Sequence, residues 1–377
     1  MNRTIRQGNT KVHAQELTQA PPMALTKELA KTSKRILTLA LNALVLSMLL
    51  LMGLMLGACG GPQGGSGGAG SGTGGAEAGN GAGNGERIQI VTTIFPAYDF
   101  SRQIAGDKAE VSLLLPPGVE SHSFEPTPSD IISIQNCDVF IYVGGESDVW
   151  VDEILASLDN SDLQTIRLMD CVSLVPEEVI EGMEDEEEEA ASEGSAGAEE
   201  EEELDEHVWT SPRNAKLITQ AISDVLCEID PGNAEFYETQ TVSYLGQLDE
   251  LDAQFRDVVA TATRNTLVFG DRFPFRYFVD EYGLDYYAAF PGCSSDSEAS
   301  PQTVAFLIDK VKSEQLPVVL KIELSNHGIA DTIAQETGAQ VLIFHSVHNV
   351  SLDEMNAQAT YLSLMEANVQ VLREALN

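Results

Sequence analysis

Ile88-Gln89-Ile90-Val91-Thr92-Thr93, Glu110-Val111-Ser112-Leu113-Leu114-Leu115 and Asp138-Val139-Phe140-Ile141-Tyr142-Val143 are short runs rich in apolar and β-branched residues. Each has the length and composition of a buried strand. Gln164–Met169 is a fourth run of this kind. Between them, Tyr98–Ala105 and Ser129–Gln135 carry helical patterns. Strands alternating with helices predict a parallel sheet covered on both faces. The same alternation returns later. Thr266–Phe269, Leu284–Ala288, Val318–Lys321 and Gln340–Phe344 read as strands, and Pro274–Glu281, Pro301–Glu314, Gly328–Gln335 and Asp353–Leu376 as helices. Between the two sets, Ser211-Pro212 starts a helix that runs to about Glu228, with Ser at the cap and Pro in the first helical position. Pro231-Gly232 breaks the chain. A long amphipathic helix then runs from Ala234 to about Ala262, with Phe236, Val242, Leu245, Leu248, Leu251 and Phe255 near helical spacing. The expected fold is α/β: two similar lobes, each a mostly parallel sheet flanked by helices, joined by one long helix. The boundaries are 87–230 for the amino-terminal lobe, 231–264 for the linking helix and 265–377 for the carboxy-terminal lobe.

The first 86 residues do not read as folded protein. Lys27, Lys31, Lys34 and Arg35 precede an apolar run, Ile36–Leu56, that ends in Leu56-Gly57-Ala58-Cys59. A basic flank, an apolar stretch and small residues before a cut form a secretory signal. Leu-Gly-Ala-Cys resembles the bacterial lipobox, which predicts a signal peptide over 1–58 and a lipidated Cys59 at the mature amino terminus. Residues 60–86 are mostly Gly, Ser, Ala and Asn, a composition that cannot bury a core and predicts a flexible tether. The expected location is the extracytoplasmic face of a cell membrane, held by lipid.

Charge narrows the function further. The full chain has 21 Lys and Arg against 59 Asp and Glu. Loss of residues 1–58 leaves 14 against 57, a net of −43. Such a surface repels nucleic acid and anionic lipid and concentrates cations. Seventeen of the thirty residues in 177–206 are acidic, which predicts a solvated, disordered loop within the first lobe. Cys137, Cys171, Cys227 and Cys293 lie far apart with no Cys-x-x-Cys pair. Sequence leaves one or two disulfides and free buried thiols equally open.

Metal binding needs lone-pair donors that converge from different segments. His122 follows the strand ending at Leu115, and His207 stands at the exit of the acidic loop before a helix. Asp271 follows Thr266–Phe269, and His345 and His348 follow Gln340–Phe344. Ligands of open α/β sheets bind outside the carboxyl ends of strands. Two candidates fall in the first lobe and three in the second, so the expected site is the cleft between lobes. A lone histidine is more often packed or surface-exposed than a ligand, so placement carries this argument rather than number. His327 ranks lower because Ser325-Asn326-His327 looks like a helix entry. Imidazole with carboxylate suits Zn2+, and no dedicated thiolate set is present.

Three segments carry a family resemblance. They are Ile90-Val91-Thr92-Thr93-Ile94-Phe95-Pro96, the stretch Pro116-Pro117-Gly118 through His122-Ser123-Phe124-Glu125-Pro126-Thr127-Pro128, and His207-Val208-Trp209. Over residues 88–377 the chain resembles the solute-binding lipoproteins of zinc and manganese ABC importers. The resemblance implies two four-stranded lobes on a rigid helix, and it implies partners: an ABC permease and its ATPase subunit. The glutamate-rich insertion resembles the charged loop of the zinc branch, although it lacks the histidines usual there. His122 and His207 match the two amino-lobe ligands of the family. The third family ligand precedes stretches matched here by Tyr277-Phe278 and Tyr282-Gly283-Leu284, and the aligned residue is Arg272, which cannot bind a cation. Asp271 is its neighbour. The fourth family ligand is an aspartate ending the last strand, and His345 occupies that place with His348 three residues on.

The expected function is capture of Zn2+ and its delivery to an ABC importer, by a monomer. Mn2+ or iron is the alternative cargo, and an adhesin-like lipoprotein with a vestigial site is the alternative class. An enzyme is not expected, because there is no His-Glu-x-x-His and no Ser-His-Asp set in workable order.

Overall fold

Eight parallel strands arrange as two four-stranded sheets in a computed structural model that describes residues 87–120, 124–183, 203–293, 299–325 and 328–377. The signal segment, Cys59, the tether, His122, His327 and residues 184–202 lie outside the described residues. Among those described, no helix is long and apolar enough to cross a membrane.

The first sheet holds β1 (Ile88–Thr92), β2 (Ala109–Leu113), β3 (Val139–Tyr142) and β4 (Gln164–Arg167), in the order β2-β1-β3-β4. The second holds β5 (Thr266–Phe273), β6 (Asp285–Pro291), β7 (Val318–Lys321) and β8 (Gln340–Ile343), in the order β6-β5-β7-β8. Each sheet reverses its winding beside its first strand, which opens a crevice at the carboxyl ends.

In the amino-terminal lobe α1 (Phe95–Ala105), α2 (Pro128–Asn136) and α3 (Val149–Ser157) flank the sheet. Thr127 and Asp130 form a reciprocal capping box at the start of α2. Ser211 caps α4 (Pro212–Ile229), as its Ser-Pro start predicts. The long helix α5 (Ala234–Thr261) follows. The second lobe adds α6 (Arg276–Tyr282), α7 (Pro301–Glu314), α8 (Ile329–Thr337), α9 (Leu352–Asn356) and α10 (Tyr361–Leu376).

Three features differ from the sequence expectation. The terminal helix expected over Asp353–Leu376 is two helices. Gln358 turns through a left-handed conformation with φ 58°, and Thr360 starts a new capping box with Ser363. The backbone N–H of Tyr361 donates to the buried carboxylate of Asp99 at 2.7 Å, which ties this second start to the other lobe. Strand β5 does not stop at Phe269. It runs on to Phe273 through a shift of register between Phe269 and Arg272, so Asp271 and Arg272 lie on the strand itself. The ends of the acidic interval are packed. Glu177 N–H bonds to Glu203 O at 2.8 Å, and Pro176 pairs with Leu204 in an antiparallel bridge. All four described cysteines are free.

One apolar core spans both lobes. It holds Ile90, Val139 and Trp209 from the first, Leu248 and Phe255 of α5, and Val318, Phe344 and Tyr361 from the second. Smaller clusters lie under the outer helices of each sheet.

Candidate metal centre

The loop after β8 decides which side chains meet in the cleft. Val347 adopts φ 61°, an unusual conformation for a β-branched residue, and its side chain is fully buried. Several bonds hold the loop there. Ser346 donates to Glu323 through its N–H at 2.7 Å and its hydroxyl at 2.6 Å. Asn368 pairs with both main-chain groups of His345 at 2.8 Å. The first lobe fixes the same loop: Trp209 Nε1 donates to Ser346 O at 2.8 Å, Phe95 N–H to His348 O at 3.2 Å and Gly118 N–H to Val350 O at 2.8 Å. Asn349 Nδ2 donates to Pro116 O and Val119 O.

This turn separates His345 from His348. The His348 ring lies 5.6 Å from the His207 ring, nearly perpendicular to it, and 4.8 Å from Trp209. His207 and His348 line a small pocket, with Glu120, Arg272, Glu323 and Asn349. His345 does not line it. Its Nδ1 accepts from Val347 N–H at 2.9 Å, and its Nε2 faces Glu354 Oε1 at 3.5 Å. Both ring nitrogens therefore engage groups of their own lobe.

His207 is buried and closely supported. Asp205 Oδ1 accepts its backbone N–H at 2.8 Å and lies 3.3 Å from Nδ1. Burial alone favours the neutral ring, but Asp205, then Glu206 and Glu177, outweigh it and hold the His207 pKa above its ordinary value. Gly292 backs the ring so closely that a Cβ there would sit 3.2 Å from it and 2.9 Å from Phe273 O.

Asp271 is fully buried but does not line the pocket. Its carboxylate accepts from Arg272 N–H at 2.9 Å and Ile322 N–H at 3.3 Å, which ties the irregular part of β5 to the end of β7. Arg272 does line the pocket, and its guanidinium pairs with Glu120 at 3.0 Å across the cleft. Sequence reasoning missed Glu120, Glu323 and Asn349 as pocket groups. Glu120 carried a signal, since it shares the loop beyond β2 with His122. Glu323 and Asn349 carried none, because their placement depends on the turn at Val347.

Two imidazoles and the Glu120 carboxylate around a half-enclosed pocket, with a second carboxylate, Glu323, engaged by Ser346, are a donor set suited to a borderline divalent cation. Comparison with known proteins points the same way. Residues 90–375 match the family described as zinc-uptake complex component A, periplasmic (ZnuA). The high-affinity zinc uptake system protein ZnuA of Bacillus subtilis is 33% identical over 292 residues, covering 78% of this chain and 88% of that protein. The zinc-binding lipoprotein AdcA of Streptococcus pneumoniae is 30% identical over 76% of this chain, which spans only 56% of AdcA. The Zn(II)-bound ZnuA-like domain of Streptococcus pneumoniae AdcA superposes with a TM-score of 0.63 at 28% identity, covering 77% of this chain and 99% of that domain. A family match over most of the folded body, on a two-lobe fold with histidines meeting in the cleft, shows that this chain belongs to the ZnuA family of periplasmic zinc-uptake components.

Proposed function

We propose that this chain is the extracytoplasmic receptor of a zinc ABC importer: it captures Zn2+ in the inter-lobe cleft and hands it to a membrane permease driven by an ATPase subunit. The observation that carries this is the meeting of His207 and His348 from opposite lobes in one pocket. His122 is the third imidazole of the proposed set, on its sequence position in the loop beyond β2. Glu120 is the fourth donor, because it lines the pocket where Asp271 does not. Arg272 then orients the Glu120 carboxylate from its far side, the part an outer-shell partner plays at many zinc sites. Three neutral imidazoles favour zinc over manganese, which prefers oxygen. A closed shell of four protein donors leaves no open position for a reacting water, so the site is that of a carrier rather than a hydrolase.

The lobes extend over 87–230 and 265–377, joined by the helix between, and the mature chain starts at a lipidated Cys59 that tethers it to the membrane as a monomer. Titration with zinc against a competing chelator tests the site. Alanine at His122, His207 or His348 is expected to abolish tight binding. Wild-type affinity in His207→Ala or His348→Ala would overturn the cleft site. Intact mass of the membrane-extracted protein tests the anchor: an unmodified Cys59 on a retained apolar segment would overturn it.

A further inference from the structure

A second group of donors lies beside the cleft, and none of the three lines its pocket. Ligand atoms of Glu177, Glu203 and Cys293 all fall within 4.8 Å of one another. They come from three chain segments: the two stems of the acidic insert and the turn after β6. Hydrogen bonds hold the segments together. Glu177 N–H donates to Glu203 O at 2.8 Å, and Cys293 N–H donates to Glu177 Oε1 at 3.0 Å.

We propose that Glu177, Glu203 and Cys293 form a second site for a thiophilic divalent cation such as Zn2+, at the root of the acidic insert.

Charge supports this independently of the converging atoms. The neighbouring acids Glu178 and Glu181 turn outward and pair with Arg276 at 3.3 Å and Lys310 at 3.6 Å. Glu177 turns inward. Among the described residues, no Lys or Arg pairs with Glu177, Asp205 or Glu206, although all three are at least partly buried. Carboxylates withdrawn from water need a cation or a dense set of donors. Their neighbours are the His207 ring beside Asp205 and backbone N–H donors to Glu177, Asp205 and Glu206, and a dication at the trio adds the positive charge that no Lys or Arg supplies.

The donor chemistry then selects the ion. One thiolate and two carboxylates suit zinc or cadmium, and exclude magnesium and calcium, which take oxygen only. A tetrahedral zinc shell places its ligands about 3.5 Å apart, so small side-chain rotations close the trio around an ion. On binding, the Cys293 thiol gives its proton to solvent and its sulfur lone pair to the metal; solvent water completes the shell.

Position gives the site a use, and this part rests on the receptor function proposed above. Gly292, next to Cys293, backs the His207 ring, and Glu203 precedes His207 by four residues. A cation held here stands next to His207. The trio is a staging site, weaker than the cleft because it has fewer protein donors.

Thiolate ligation reads out separately from the cleft, whose proposed donors include no sulfur. The experiment is a Cd2+ titration of the full-length protein in detergent under reducing conditions, followed by the ultraviolet sulfur-to-cadmium charge-transfer band and by stoichiometry. The band is expected with the second equivalent. Cys293→Ser is expected to remove the band and the second ion while keeping the first. Glu177→Gln and Glu203→Gln are each expected to weaken the second site at least tenfold. Ser at Cys59, Cys137, Cys171 or Cys227 is expected to leave the band intact. Absence of the band in the wild type, or its survival in Cys293→Ser, overturns the proposal. His207→Ala with His348→Ala is expected to cost the first ion and keep the band. If that double variant keeps both ions, the cleft reading fails while the second site stands.

Discussion

His345 and His348 stand three residues apart on one loop, yet they have different surroundings. His348 faces His207, whereas His345 has Val347 N–H on one nitrogen and Glu354 near the other. Loss of an outer-shell partner costs about 10–100-fold in metal affinity, so His348→Ala is expected to weaken zinc by more than about 100-fold, and His345→Ala by about tenfold or less. Chelator competition on both variants checks this; equal losses would make His345 a ligand. The same assay gives the pH dependence. Protons compete with zinc for imidazole. Because the acids around His207 raise its pKa above the ordinary 6.5, competition begins at higher pH than for an ordinary histidine. Zinc affinity is therefore expected to fall, on acidification, at a higher pH than an ordinary imidazole would set, and Asp205→Asn is expected to move that fall to lower pH. An unchanged profile in the variant would remove Asp205 as the cause.

Single elements show how backbone approach and capping place these residues. Gly270 lies on β5 where α8 crosses it, and a Cβ there would come within 2.5 Å of the Ala330 backbone. Overpacking of this kind costs about 1–3 kcal/mol. Gly270→Ala is expected to lose that much in chemical denaturation and to weaken zinc binding, since Asp271 and Arg272 follow directly. Helix α9 offers a test of sign. Glu354 closes a capping box with Ser351 and faces His345. The His345 imidazole beside it lowers the Glu354 pKa to about 2. Burial pulls the His345 pKa down, but Glu323 and Glu354 outweigh it and leave it raised. The lowered carboxyl contributes stability above its unfolded value and loses it as pH falls toward about 2. The raised imidazole contributes below its unfolded value and loses it as pH rises through its folded one. Both contribute fully between about pH 4.3 and 6.5. Glu354→Gln is expected to cost about 1 kcal/mol in that window, for the cap and a part-exposed ion pair. The deficit should shrink as pH rises above about 6.5 and through the raised His345 value; a pH-independent deficit would assign it to the cap alone.

At the scale of the whole molecule, the two lobes are held to each other by a shared core and bonded loops. Helix α5 has 28 residues, about 42 Å of continuous helix, and the main core runs through it from one sheet to the other. The cleft loops are bonded across the lobes at Phe95, Gly118, Trp209 and Asn349. Zinc is therefore expected to change the radius of gyration by less than about 1 Å, as for other pre-organised partners. Small-angle scattering with and without zinc decides this, and a larger contraction would show domain closure. The acidic insert is expected to act at long range instead. Replacing residues 184–202 with a short Gly-Ser link is expected to leave equilibrium affinity at the cleft unchanged. It is expected to slow zinc capture by about tenfold at low salt, with the difference fading at high ionic strength. Stopped-flow capture at two salt concentrations measures both effects.

What the sequence determined by itself is the part that depends on local pattern. Apolar runs and helical spacing placed all eight strands, and Ser-Pro and Pro-Gly signals bounded α4 and opened α5, because burial and capping act within a few residues. Topology then placed the site at the carboxyl ends of the strands. The tertiary structure decided which donors arrive there. Asp271 lies beside the right strand end, but the register shift in β5 turns its carboxylate to backbone N–H groups. His345 occupies the expected place after β8, but the left-handed turn at Val347 carries His348 into the pocket instead. That turn persists because Glu323, Asn368, Trp209 and Phe95, from four distant segments, each bond to it. A strained φ held by partners on other segments, 23 to 137 or more residues away, leaves no mark in the local sequence, which is why the choice between two nearby histidines belonged to the fold.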